Sequence, residues 1–267
     1  MGIRTDLATE KTTQENKENF KCYKNGYTEV NYFETKGEKV VSLLFCEVEK
    51  ICDFTCLNEE ILKALKTLLK RPLGTILCVA LGNDEIVCDN IGPAIAKRIL
   101  ATRHIEKNIA QKIGLSGLLP TAVITPGVLG KTGIETAETV KALCDKICPE
   151  AVIVIDALCT EKSERIFRCI ELSTIGIMPG SGVKNDRAEI SKKTLGIPVI
   201  SIGIPTVCEA ESIAKELTGK EPESRSDLIV TPKDCDLYSK QLSIAVANSI
   251  NQFLQPKIEP QIIEKLV

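Results

Sequence analysis

Two aspartates stand where apolar runs give out. Asp156 ends the strand-like part of "AVIVIDAL" (151–158), directly after Val-Ile-Val-Ile, and Asp89 lies seven residues beyond Gly82 in "TILCVALGNDEIVCDNIGP" (75–93). A carboxylate at the rim of a dry sheet is desolvated, which raises its pKa. Two carboxyl groups sharing one site cannot both ionise cheaply, so one keeps a proton and serves as acid while the other serves as base. That division of labour activates water for peptide hydrolysis without a nucleophilic side chain. Alone, Asp156 could equally cap a helix or accept loop N–H groups, and the loop with Asp84, Glu85 and Asp89 could be merely solvated. The chemistry depends on both carboxylates reaching one edge.

A third cluster is the loop "GIMPGSGVKNDRAEISKKTLGIP" (176–198), where Gly176, Gly180, Gly182 and Gly196 surround Ser181, Lys184, Asn185 and Arg187. Backbone N–H groups here, at Gly180, Ser181 and Gly182, could meet an oxyanion or an extended peptide, as could Gly82 and Asn83. As a plain surface connection the loop would do neither. Other chemistries are poorly supplied. The chain holds one His, His104 in "LATRHIEKN", which leaves a Cys–His or Ser–His arrangement little material. Cys52-x3-Cys56 and Cys144-x3-Cys148 have helical spacing and lack the CxxC knuckles of structural zinc sites. No GxxxxGK[ST] occurs, and no GxGxxG follows a strand, so nucleotide binding has no motif.

The totals point the same way. With 34 basic and 36 acidic side chains the net charge is −2, and aromatics are 4% of the 267 residues. Neither value favours direct contact with nucleic acid or an anionic membrane. Many of the twelve cysteines stand inside apolar runs, as small reduced hydrophobes do in a cytoplasm-like compartment. The N-terminus is polar, without the apolar core of a secretory signal, and no apolar stretch approaches the ~20 residues of a membrane span.

Elements must carry the two aspartates to one edge. Residues 1 to about 25 are polar and Lys/Glu-rich and are expected to be poorly ordered. "TEVNYFE" and "KVVSLLFCEVE" read as two strands joined at Gly37. "NEEILKALKTLLKR" puts Ile61, Leu62, Leu65, Leu68 and Leu69 on one stripe, with Asn58 as the expected N-cap and Pro72 beyond the end. Strand and helix then alternate: "TILCVAL", helix "IGPAIAKRILATR", "TAVITP", helix "GIETAETVKALCDKIC", "AVIVIDAL", the edge or mixed strand "FRCIELS", "IPVISIGIP", and the long helix "DCDLYSKQLSIAVANSINQFLQ". This order predicts one α/β domain with a mostly parallel, mixed-edge sheet flanked by helices. Ligands in such sheets gather outside the carboxyl ends of strands, where Gly82, Asn83, Asp89, Asp156, Thr132, Glu135 and Thr206 are delivered.

Taken in order, "VALGNDEIVCDNIGP", "ATRHI", "ITPGVLGKTGIETAE", "VIVIDAL", "SERI", "GIMPGSGVKNDRAEISKKTLGIPVISIGIPTV" and "LIVTPKD" resemble the blocks of the germination proteases. These are spore endopeptidases that degrade small acid-soluble spore proteins. The resemblance runs from about Arg4 to Pro256. It implies an atypical aspartic endopeptidase without cofactor or metal, its two essential carboxylates at Asp89 and Asp156. It also implies a zymogen that removes a leader by self-cleavage within Arg4-Thr5-Asp6-Leu7-Ala8, between Asp6 and Leu7. The domains would then be a propeptide, 1–6, and a peptidase domain, 7–267. "TDLATE" resembles the family's substrate motif, an acidic residue followed by a large apolar one and Ala. A homotetramer in the cytoplasm of the forespore and spore core is implied as well. The chain departs from the family in its six-residue leader and in "IDALCTEKS", where members read I-D-A-L-A-A-R-S. It is also shorter between Arg103 and Thr121 and near residue 220.

Two rivals keep the same architecture. Hydrogenase maturation endopeptidases, whose α/β architecture is similar, hold a nickel ion with strand-end carboxylates and a His, and here the single His is His104. An inactive binding protein of the sporulation pathway would have no need of Asp89, Asp156 and the R-T-D-L-A block together.

Overall fold

Strands without a polar break need cover on both faces, and four such runs lie side by side in one sheet. The computed structural model describes residues 5–48, 51, 53–70, 72–112, 115, 117–180, 188–220 and 227–267. The elements of the first half are α1 (Ala8–Lys11), β1 (Glu18–Asn25), β2 (Thr28–Thr35), β3 (Glu38–Phe45), α2 (Thr55–Leu68), β4 (Ile76–Ala80), α3 (Ile91–Ala96), α4 (Lys107–Lys112), β5 (Thr121–Ile124) and α5 (Leu129–Thr132). Those of the second half are α6 (Thr136–Ile147), β6 (Ala151–Thr160), β7 (Cys169–Ser173), α7 (Lys192–Leu195), β8 (Val199–Glu209), α8 (Ala210–Thr218), β9 (Ile229–Val230), α9 (Cys235–Leu254) and α10 (Pro260–Ile263).

The strand order is β1-β2-β3-β7-β8-β6-β4-β5, with β9 added to the end of β8. Strands β8, β6, β4 and β5 are parallel, and β1, β2, β3 and β7 form an antiparallel half. The antiparallel part is therefore larger than an edge. "FRCIELS" is not an edge strand: β7 lies inside the sheet, antiparallel to both β3 and β8.

Alternation splits the core between the faces. On one face Ile76, Ile153, Ile155, Ile202 and Leu172 pack with Ile61 and Leu65 of α2, Ile95 of α3 and Val246 and Ile250 of α9. On the other, Val79, Val152, Val154 and Val199 meet Val140 and Cys144 of α6. Each fully buried aliphatic side chain contributes about 1.5–3 kcal/mol of transfer free energy.

From Thr5 on, the described N-terminal residues overturn the expectation of poor order. Strand β1 pairs with β2 over most of its length although nearly all its side chains are exposed. An edge strand needs one backbone ladder and no apolar face, so a polar composition suits it. Its end is pinned to α2, where Tyr23 Oη and Asn25 Nδ2 donate to the buried Glu60 carboxylate at 2.6 and 2.8 Å. Helix α2 also starts four residues earlier than an N-cap at Asn58 implies, with Phe54 at the cap position. Asp53 Oδ1 accepts from Thr55 N at 2.9 Å and from Thr55 Oγ1 at 2.7 Å, satisfying the first turn from outside it.

Candidate active site

The parallel strands point their carboxyl ends to one edge, and Asp89 lies beyond the end of β4. Asp156 is not the last residue of its strand: β6 runs four residues further, to Thr160, and pairs with β8 throughout. Beyond β4, Leu81 N donates to Ile155 O at 2.8 Å, which fixes the chain one residue from Asp156. Gly82 then turns with φ +119. Asn83 N donates to Asp89 Oδ2 at 2.9 Å and to Asp89 O at 3.1 Å, so the loop folds Asp89 back onto the strand end. Glycine is required at two points of this fold. A Cβ on Gly82 would stand 2.1 Å from Asp89 O, and one on Gly92 would stand 2.1 Å from Leu81 O. The acidic neighbours divide by role: Asp84 and Glu85 are exposed and pair with Lys131 at 3.4 and 2.8 Å.

Asp156 is 6% exposed and sits opposite Gly203 of β8. On the far side of Gly203 the partner is Glu171 of β7. Directly paired residues share a face, so Asp156 and Glu171 stand in one row, separated by a residue without a side chain. Two inter-strand spacings put their backbones about 9–10 Å apart. Leu158 lies over the gap, since a Cβ on Gly203 would meet Leu158 Cδ1 at 2.1 Å. A cavity of about 440 Å³ opens on this face, lined among others by Asp6, Ala8, Leu158, Glu171, Ser201 and Gly203.

The N-terminal segment enters this site. Asp6 N donates to Cys159 O, and Cys159 N donates to Asp6 Oδ2, both at 2.9 Å, three residues along β6 from Asp156. Leu7 is fully buried. Ala8 N and Thr9 N donate to the two oxygens of Glu171 at 2.6 and 2.9 Å, and Thr9 Oγ1 donates to the same carboxylate. Glu10 accepts from Thr160 Oγ1 at 2.7 Å, from Glu161 N at 2.8 Å and from Thr5 Oγ1, with Arg165 Nε 3.4 Å away. The expected cleavage position, Asp6–Leu7, is thus held against the strand that carries Asp156. Burial pushes the Glu171 carboxyl above its ordinary value, opposed by the hydrogen bonds from Thr9 and Ala8, which favour the ionised form.

The remaining candidates separate clearly. Gly180 is half-buried with φ +72, whereas Ser181 and Gly182, with Lys184, Asn185 and Arg187, lie outside the described residues. Thr132 is exposed and bonds locally to Val128 O and Ile134 O, and Thr206 is buried with its carbonyl accepting from Thr231 Oγ1. His104 is exposed. Cys159, three residues along β6 from Asp156, has its thiol pushed up to about 12, chiefly by burial, so it carries no thiolate for attack near neutral pH. Among the described residues no three His, Cys, Asp or Glu side chains form a metal-ligand cluster, and no helix is long and apolar enough to cross a membrane.

Glu171, Arg165 and Glu10 were not singled out from the sequence. The one available signal was a charge inside the apolar strand "CIELS", which alternation alone explains as an outward-facing residue.

Comparison with known proteins bears on the identity of this site. A solved structure of the [NiFe] hydrogenase maturation protease HycI from Thermococcus kodakarensis KOD1 overlaps 70% of this chain and 98% of its own, at 13% identity and a TM-score of 0.39. A likeness of that size implies nothing about activity. The sequence relatives are nearer. The germination protease of Clostridium tetani (strain Massachusetts / E88) is 37% identical, with 97% of each chain covered. That of Caldanaerobacter subterraneus subsp. tengcongensis is 32% identical, covering all of this chain and 98% of its own. The germination protease family model matches residues 48–218, which include both aspartates. The chain belongs to the germination protease family of peptidases.

Proposed function

We propose that this peptidase is a self-processing endopeptidase in which Asp89 and Asp156 jointly activate water, one as base and one as acid. Its substrates would be small acid-soluble spore proteins, degraded as a spore germinates, and its first cut would be its own Asp6–Leu7 bond. The observation that carries the reading is the seating of Thr5–Glu10 at the carboxyl end of β6 and beside the middle of β7. An acidic-Leu-Ala sequence lies there, extended as far as Leu7 and turning into helix α1 at Ala8, with backbone bonds to Cys159 and Glu171 and its Leu side chain fully buried. A peptide held so against β6 is pre-positioned for a carboxylate carried by that strand, and positioning supplies a large share of a hydrolase's rate. The dyad itself is supported by the return of Asp89 onto Gly82 and Asn83, next to the strand that bears Asp156.

The test compares the wild type with Asp89→Asn and Asp156→Asn by intact mass after mildly acidic incubation, and by turnover of a purified acid-soluble spore protein. Loss of residues 1–6 and turnover should appear in the wild type and in neither variant, with all three equally folded by circular dichroism. The amides keep size and hydrogen bonding but can neither take up nor release the shared proton. Wild-type activity surviving in either variant would exclude the dyad. Chelators, and reagents that block serine or cysteine, should leave the wild-type rate unchanged.

A further inference from the structure

Asp89 is followed by a residue that stands at a helix start and does not cap it. Asn90 occupies the N-cap position of α3. A capping side chain accepts from the N–H of the second or third helical residue. Here the third is Pro93, which has no N–H. The backbone of Asn90, with φ −91 and ψ −2, also lies outside the extended region that capping uses. Its side chain turns to α9 instead, where Oδ1 accepts from Ser239 Oγ at 2.7 Å. Ser239 is 2% exposed. A serine inside a helix often gives its proton to a carbonyl of the preceding turn. Ser243 does so to Lys240 O at 2.7 Å, and Ser249 to Ala245 O at 3.0 Å, on this same helix. Ser239 gives its one proton across to the loop. A cavity of about 300 Å³ lies beside the pair, lined among others by Asn90, Pro93, Lys97, Ser239 and Ser243. Packing therefore leaves Asn90 room on that side, and the hydrogen bond restricts it.

We propose that Ser239 is a positioning residue for the peptidase reaction, holding Asp89 in place through Asn90. This rests on the reading of Asp89 as half of the catalytic pair. On its strand side Asp89 is gripped by Asn83 N, which donates to Oδ2 at 2.9 Å and to O at 3.1 Å. The Ser239–Asn90 bond grips the next residue from the helix side. Helix α9 supplies a firm reference, because Leu242, Val246 and Ile250 are fully buried in the core. Strand β6, which carries Asp156, is fixed between β4 and β8. Of the two carboxylates, Asp89 is thus the one on a loop, and it is held from two sides. A pair of carboxyl groups divides acid and base roles only at a set separation. A loop freed on its helix side therefore loses rate and keeps its affinity for substrate.

The experiment uses the full chain with Ser239→Ala, Ser239→Thr, Asn90→Ala, the double variant Ser239→Ala/Asn90→Ala, and Ser243→Ala, beside Asp89→Asn. Amide exchange at Asn83, read by NMR, reports the hold on Asp89 whether or not a substrate is cut. Values of kcat and KM on an acid-soluble spore protein report the consequence. In Ser239→Ala the Asn83 amide should exchange roughly tenfold faster. Its kcat should fall about tenfold, less than the ~100-fold loss from a displacement of about 1 Å, with KM within about twofold of wild type. Its pH profile of kcat/KM should narrow, since a displaced Asp89 couples less to Asp156 and the two apparent pKa values of the pair draw together. Ser239→Thr keeps the hydroxyl, and the cavity admits its methyl group, so most of kcat should return. Asn90→Ala and the double variant should match Ser239→Ala, because both ends serve one bond. Ser243→Ala, whose hydroxyl bonds within α9, should match the wild type. Unchanged exchange at Asn83, additive losses in the double variant, or wild-type kcat in Ser239→Ala while Asp89→Asn is inactive would each overturn the proposal and leave the dyad standing. Wild-type kcat in Asp89→Asn would instead remove the dyad, and with it the reaction that Ser239 serves.

Discussion

Gly82→Ala offers the sharpest test of how Asp89 is held. The added methyl meets two penalties. The backbone at Gly82 has φ +119, where a side chain costs about 1–3 kcal/mol. Its Cβ would also stand 2.1 Å from Asp89 O, and ordinary contact begins at 3.4 Å, so Asp89 must withdraw by about 1.3 Å, the difference between the two. That withdrawal breaks both bonds from Asn83 N, which reach Asp89 Oδ2 and O at 2.9 and 3.1 Å. A displacement of about 1 Å in a positioned catalytic group lowers rate on the order of 100-fold. The core beneath is untouched, so the stability loss should stay near 1–3 kcal/mol, a fall in Tm of about 2–4 °C per kcal/mol. The assay is kcat on an acid-soluble spore protein alongside calorimetry. Gly37→Ala is the control: its φ is +79 and its Cβ would meet nothing within 4 Å, so it should lose about 1 kcal/mol and no activity. Full turnover by Gly82→Ala would refute the reasoning, since Asp89 would then tolerate displacement.

Three further outcomes follow from the same contacts. Leu7→Ala removes a fully buried side chain whose truncation in a core costs about 2–5 kcal/mol. Because the segment can peel away, the loss should appear as faster amide exchange across residues 5–12 with little change in Tm. Burial raises the Glu171 pKa, so the folded state holds its proton more tightly than the unfolded chain. That contribution to stability is fully present below the ordinary value of 4.5 and is lost as pH rises through the raised one. Glu171→Gln, fixed in the neutral form, should compare more favourably with wild type at pH 7 than at pH 4.5 in paired Tm measurements. A constant difference would count against it. Tyr23→Phe removes one donor from the buried Glu60 while Asn25 and Lys63 remain. The cost should be about 1–2 kcal/mol, read as lowered Tm and faster exchange in β1.

The parts of this fold that were legible in the sequence are those where local pattern and long-range packing agree. "AVIVIDAL" and "TILCVAL" are buried strands by apolar content alone, which puts the Gly82 turn at a strand end, whereas Asp156 does not end its strand, because β6 continues along β8 to Thr160. The return of Asp89 onto Asn83 was readable only through Gly82 and Gly92, because those positions admit no Cβ. Glu171 was hidden for a physical reason. Its partners Ala8 and Thr9 lie more than 160 residues away in the chain, and no local rule joins a charge in a strand to a polar terminus. Strand β1 was missed because its stabilisation is a backbone ladder, to which side-chain composition is nearly blind.

Thr5–Glu10 belongs to the same chain as the surface it covers, and this turns occupancy into a question of tethering. A tethered segment competes as though present at about millimolar concentration, so a free peptide of equal intrinsic affinity must approach that level to displace it. Severing the chain after Asp6 would release the residues before the cut. It would leave Leu7 through Glu10 still tied to the body and still facing Glu171 and Arg165. Cutting and opening are then separate events with separate free energies. The second sets how soon another protein can be cut, and it can be tuned by Leu7, Thr9 and Glu10 without touching either aspartate.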